Sequence, residues 1–183
     1  MNRQEAENLL NQYVNSDWLK KHSLATAAVM EDLADRLGQD REEWWTMGLL
    51  HDIDFDITQD PAEHGLQGAE ILRRHGFSED FVSAVMSHNA EGLGLQREKV
   101  VDYALTCGES ITGLVVATAL VMPDKKLASV KPASVVKRMK KKDFARKVSR
   151  EAIMLCEEID LSVAELAELA VAAMQRISAD LGL

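Results

Sequence analysis

Apolar residues recur at helical spacing along nearly the whole chain, and almost nowhere do they alternate as a strand requires. From Asp17 to Leu37 the side chains of Leu19, Thr26, Val29, Leu33 and Leu37 fall close to one stripe, and Gly38 closes that helix in the left-handed conformation. Asp40 followed by Glu43 has the form of a capping box and starts a helix through Trp44 and Leu49 towards His51. Asp60, Pro61 and Glu63 predict a further start, with Gly76 after its end. Ser78 caps a helix through His88. Arg97 to Met122 reads as one or two helices, Pro132 to Lys147 as a basic helical region and Ser149 to Asp160 as another helix. Ser162 and Glu165 start the last. Short connections between such segments predict an all-α bundle of mixed crossings.

Composition narrows the class. The 183 residues suffice for one domain with a substantial core, and no linker or repeat divides them. Aromatic residues make up 5%, while alanine, leucine, glutamate and lysine abound, which disfavours a sandwich or barrel. Cys107 and Cys156 lie far apart without a C-x-x-C pattern, as expected of a reducing cytoplasm. The polar N-terminus and the short apolar run from Gly113 to Met122 predict a cytoplasmic chain with no membrane partner. A net charge of −9 argues against a nucleic-acid polymer as partner. The charge is uneven: Lys125 to Arg150 carries +10 and the remainder −19, so an anionic small molecule can be attracted locally.

The histidines carry the chemistry. His22, His51, His64 and His88 fall on separate helical segments. His22 shares its stripe with Leu19 and Thr26, His64 with Gly68 and Ile71, and His88 with Phe81 and Val85. One such imidazole is usually a satisfied core residue, but three turned inward together, beside Asp52, are what a metal site needs. A helix ending at His51 would let the adjacent Asp52 reach the same site, where one carboxylate can bridge two cations. Glu109 is the only charged residue between Tyr103 and Pro123, and a carboxylate in such surroundings needs a cation or an ion pair. Asp102, earlier on the same helix, is the alternative ligand. His75, before Gly76, needs only a helix-terminal role.

With these residues assembled, the chain resembles the HD superfamily of metal-dependent phosphohydrolases, and within it the HDIG-type proteins. His22 matches the first family histidine, LLHDID the HD motif, HGLQGAEIL the element that begins at His64, and His88 in MSHN the later histidine. ESITGLV departs from the family, with Glu109 where aspartate is usual. Phe55 stands where the cyclic-dinucleotide phosphodiesterase branch carries lysine, and the G-Y-P element is missing, so that substrate is not assigned. The resemblance implies an HD-type helical fold with core 17–122 and a C-terminal helical extension 123–183. It also implies one ion held by His22, His51, Asp52 and Glu109, and a second held by Asp52, His64 and His88. Nitrogen and oxygen donors suit one or two divalent ions of manganese, iron, nickel or zinc.

The function expected is hydrolysis of a phosphate ester in a small phosphorylated substrate, a nucleotide or related metabolite, by metal-activated water. Asp52 would take part in catalysis as the shared ligand. Asp54 or Asp56 would act as general acid or orient the water, with helix capping as their other reading, and Asn89 would bond a phosphate oxygen. Lys137, Arg138, Lys140, Lys141 or Lys142 would attract phosphate, or else form a solvated helix face. Two rivals stand beside hydrolysis: a di-iron oxygenase and a non-catalytic nucleotide-binding module. Oligomeric state is left open.

Overall fold

A computed structural model describes residues 1–183, and every regular element in it is helical. In chain order the helices are α1 (Arg3–Tyr13), α2 (Asp17–Leu37), α3 (Arg41–Leu50), α4 (Leu66–Arg74), α5 (Glu79–Ser87), α6 (Ala90–Leu93) and α7 (Val100–Leu120). They continue with α8 (Pro132–Met139), α9 (Arg150–Met154), α10 (Val163–Arg176) and α11 (Ser178–Leu181), with 3₁₀ turns at Leu127–Ser129 and Leu155–Ile159.

Two 21-residue helices organise the bundle. α2 packs against α3, α7 and α10, and α7 against α2, α5, α8, α9 and α10. The bounds of α2 are those its stripe predicts, and Gly38 ends it at φ 66°. Asp40 and Ser78 cap α3 and α5 through the backbone N–H groups of Glu43 and Phe81. α2 and α3 approach closely where a methyl on Gly48 would lie 2.9 Å from Ala27 Cα and from the Thr26 carbonyl oxygen. Only glycine lets the two backbones meet there, one turn from His22 on α2 and from His51 at the end of α3.

Several expected boundaries move. α1 is not announced by an apolar stripe; it forms through a capping box between Asn2 and Glu5 and buries Ala6, Leu9 and Leu10. The start predicted at Asp60 yields a turn, capped by Asp60 at Ala62, and the helix proper begins only at Leu66. Gly65, at φ 90°, breaks the path and leaves His64 in the turn ahead of α4. The basic helix stops at Met139, because 140–149 turns back on itself. α7 is long and apolar enough to cross a bilayer, contrary to the short run read from sequence; its apolar side is the centre of the core, including Leu105, Ile111 and Leu114.

Candidate metal centre

α3 ends at Leu50, and residues 51–57 continue in tight turns, with the Ile53 and Phe55 N–H groups bonding the Leu50 and Asp52 carbonyls. That tightening brings His51 and Asp52 into one site although they are neighbours in sequence. Across from them stand His22 from α2, His64 from the turn before α4 and His88 at the end of α5.

All four imidazoles aim Nε2 inward. His22 and His51 Nε2 are 3.2 Å apart, and those of His64 and His88 2.8 Å. Asp52 lies between the pairs. Its Oδ2 is 3.7 Å from His22 and 3.4 Å from His51, and its Oδ1 is 3.2 Å from His64 and 3.3 Å from His88.

The outer ring nitrogens fix the tautomers. Nδ1 of His51 donates to the Gly48 carbonyl at 2.8 Å, and Nδ1 of His88 donates to the Val85 carbonyl. Nδ1 of His64 donates to Asp54 Oδ1 at 3.0 Å. The Thr112 hydroxyl gives its own proton to the Glu109 carbonyl, so it accepts from His22 Nδ1 at 3.2 Å. With each Nδ1 protonated, a neutral ring presents a bare Nε2 lone pair. Four such lone pairs and a carboxylate, gathered in a largely buried site, repel one another unless protons or a cation lie among them.

The spacing fits cations. Donors about 2.1 Å from one ion, at angles between octahedral and tetrahedral, are separated by about 3.0–3.4 Å. Four of the six distances lie in that range, His64–His88 at 2.8 Å falls just below it and His22–Asp52 at 3.7 Å just above. His22, His51 and Asp52 form one such triad, and Asp52, His64 and His88 another.

Protonation follows the same geometry. Burial opposes the charged form of Asp52, yet the charge on His51 and bonds from His51, His64 and His88 hold its carboxyl well below the usual range. Burial also opposes protonation of His64, but Asp52 and Asp54 outweigh it and push its pKa up to about 9. His51 is raised against its burial by Asp52. Burial, with the charge of His51, lowers His22.

Residues 19–110 match the family model described as the HD domain. The chain belongs to the HD domain family. Similar curated proteins include Ribonuclease Y of Thermosipho melanesiensis, 36% identical over 81 residues, which are 44% of this chain and 16% of that protein. Ribonuclease Y of Thermotoga petrophila is 35% identical over 71 residues, 38% of this chain and 14% of the relative. That of Pseudothermotoga lettingae is 37% identical over 71 residues, with the same 38% and 14% shares. The matched stretch thus spans less than a fifth of these relatives. Family and His/Asp cluster together support a metal-dependent hydrolase and are compatible with a divalent ion.

The HD fold does not gather every candidate. Glu109 stands at the rim: its Oε2 is 3.8 Å from His22 Nε2, while Oε1 accepts from the Ser110 hydroxyl at 2.6 Å. Asp102 caps α7 through the Glu98 and Lys99 N–H groups, away from the histidines. Asp54, expected to act as acid or to orient water, is fully buried behind His64 with both oxygens engaged; Oδ2 accepts from Gly65 and Gly68 N–H at 2.8 Å each. Asp56 leaves the site altogether and accepts from Asn15 N–H, Ser16 N–H and the Ser16 hydroxyl, so of its two readings the structure favours the local one. Asn89 borders the cavity, but its amide donates to the Pro61 and His64 carbonyls at 2.8 Å, holding the His64 turn instead of offering a phosphate donor. His75 ends α4 as its C-cap, and its ring meets the Tyr13 hydroxyl of α1 at 3.3 Å.

The site opens into a cavity of about 740 Å³, whose walls include Trp18, Lys21, Phe55, Val116, Lys147 and Val148. None of the five basic residues expected at the entrance lines it; Lys21 and Lys147 do. Thr112 and Arg97 also escaped the sequence reading. Arg97 backs the His88 end of the site by donating to the His88 carbonyl, the Thr106 hydroxyl and Glu91. The threonine of ESITGLV was the visible signal for Thr112; nothing in sequence marked Arg97.

Proposed function

We propose that this protein is an HDIG-type phosphohydrolase that cleaves a phosphate ester in a small phosphorylated substrate, a nucleotide or related metabolite. The observation that carries the reading is the convergence of four Nε2 atoms on the two oxygens of Asp52. His22, His51 and Asp52 would hold one divalent ion and Asp52, His64 and His88 a second, with Glu109 completing the first. Manganese, iron, nickel or zinc, when bound, would supply Lewis acidity and an acidified water.

The side chains do the rest. Asp52, kept ionised, shares its charge between the two triads and fixes their separation. Gly48, Val85, Asp54 and Thr112 hold the rings in the tautomer that leaves Nε2 free, so no reorganisation is needed when a substrate arrives. Glu109, partly exposed at the rim, faces both His22 and the cavity, where a carboxylate can orient a water or accept its proton. The apolar walls exclude water from the ester's organic part.

The relatives are named for cleaving RNA, whose linkage is a phosphodiester; the net charge of −9 favours a small substrate over that polyanion. The test is a metal assay of protein purified without chelator, followed by hydrolysis assays on phosphomonoesters, cyclic nucleotides, nucleotides and an RNA oligomer with each ion. Turnover lost in His51→Ala and Asp52→Ala supports the proposal. Full activity in both variants, or oxygen consumption by an iron-loaded form without hydrolysis, would falsify it. RNA cleavage alone would move the substrate from a metabolite to the polymer.

A further inference from the structure

The cavity is larger than a scissile phosphate needs, and its outer wall is built by residues beyond the HD match, which ends at 110. α7 runs from Glu109 at the rim to Gly113 and Val116, and against Gly113 lies the segment 140–149. A methyl on Gly113 would come within 3.1 Å of Val148 Cγ2, so this segment packs closely on α7 beside the cavity.

The segment has little regular structure, yet it is firmly organised. Nη1 of Arg150 donates to the Ala145 and Val148 carbonyls at 2.7 Å each, and Nη2 donates to the carbonyls of Lys141 and Phe144. Arg138 stacks on the Phe144 ring at 5.3 Å. One guanidinium thus gathers four carbonyls and presents Lys147 and Val148 to the cavity.

Lys147 has no carboxylate within ion-pair distance. Lys21, beside His22 on α2, pairs only with Asp17 at 2.9 Å, an exposed contact one turn away. These are the only lysines or arginines on the cavity wall. Gly113, against which the Lys147 segment packs, is one helical turn beyond Glu109, about 6 Å along α7. The apolar part of the wall includes Trp18 and Phe55, which meet edge to face at 5.9 Å between ring centres.

We infer that Lys21 and Lys147 bind a second anionic group on the substrate, in addition to the phosphate held at the His/Asp floor, with the Trp18–Phe55 surface taking its flat or apolar part. This rests on the proposed hydrolytic reading for its floor and adds the substrate class: an organic phosphate ester with two separated anionic groups. Charge-assisted bonds from both ammonium groups would reward such a ligand over one with a single phosphate.

The test compares adenosine 3′,5′-bisphosphate with adenosine 5′-monophosphate as probes on protein purified without chelator. Stopped-flow tryptophan fluorescence reads binding before turnover; Trp18 is 56% exposed, whereas Trp44 and Trp45 are buried. The wild type should prefer the bisphosphate by about tenfold, in a salt-sensitive way. Lys21→Gln combined with Lys147→Gln should bring the ratio close to one, and Lys147→Arg should preserve it. An unchanged ratio in the double glutamine variant, no preference in the wild type, or no binding of either probe overturns the inference. Hydrolysis is scored separately. A lysine-dependent preference without turnover under any metal removes the phosphohydrolase reading alone, and turnover without the preference removes the anion pair alone.

Discussion

The carboxylate of Asp54 takes the Nδ1 proton of His64 at 3.0 Å and, with its other oxygen, the N–H groups of Gly65 and Gly68. One buried side chain thereby sets both the tautomer of a histidine and the shape of the turn that carries it. Gly68 is confined too, since a methyl there would lie 3.3 Å from the Asp54 carboxyl. Asp54 is a positioning residue. Asp54→Asn keeps the volume but places N–H against N–H, and should cost about 1–3 kcal/mol of stability. Affinity for an ion at the His64–His88 triad should fall by about 10- to 100-fold. Chemical denaturation and metal titration measure the two effects, and wild-type affinity in Asp54→Asn would deny the positioning role.

The metal-free protein should lose stability as pH rises. His64 has its pKa raised from 6.5 to about 9, and a raised histidine contributes stability that is complete below 6.5 and lost through about 9. His51 shifts in the same direction, and Asp52 stays ionised throughout this window. His22, shifted down, is neutral above 6.5 in both folded and unfolded chains. The melting temperature of chelated protein should therefore fall between pH 6.5 and 9. Metal binding displaces the same protons, so manganese or zinc should stabilise most at the alkaline end. A flat melting temperature after chelation would refute this.

Gly48→Ala tests whether the α2–α3 contact sets the metal site. The added methyl meets backbone at 2.9 Å on Ala27, so the helices must part. A loss of about 1–3 kcal/mol is expected, together with weaker metal binding, because His22 and His51 ride on the two helices. Calorimetry on the loaded and chelated forms separates these effects.

Glu109→Gln should weaken the ion at His22, His51 and Asp52 while sparing the one at His64 and His88, since Glu109 approaches only His22. Metal stoichiometry by mass spectrometry checks it. Equal loss at both sites would contradict the one-sided placement.

Asp56→Ala should cost about 1 kcal/mol, by releasing three bonds at the start of α2, and leave metal content intact. Thermal denaturation and metal analysis of the same sample suffice.

The sequence alone determined the helical class, the limits of α2, the caps of α3 and α5, the three inward histidines and the His51–Asp52 pair. Each is written locally, as a repeat, a cap or a short motif, and needs no distant partner to be legible. Tertiary structure decided which donors converge and what the remaining carboxylates do. Asp54 and Asp56 are two residues apart and looked interchangeable, yet one is buried behind His64 and the other tethers Ser16. The same holds for the cations: Lys147, not the Lys137 to Lys142 run, reaches the cavity, because Arg150 folds its segment onto Gly113. Such roles depend on contacts between residues up to ninety positions apart, as between His22 and Thr112, and packing is what chooses those contacts.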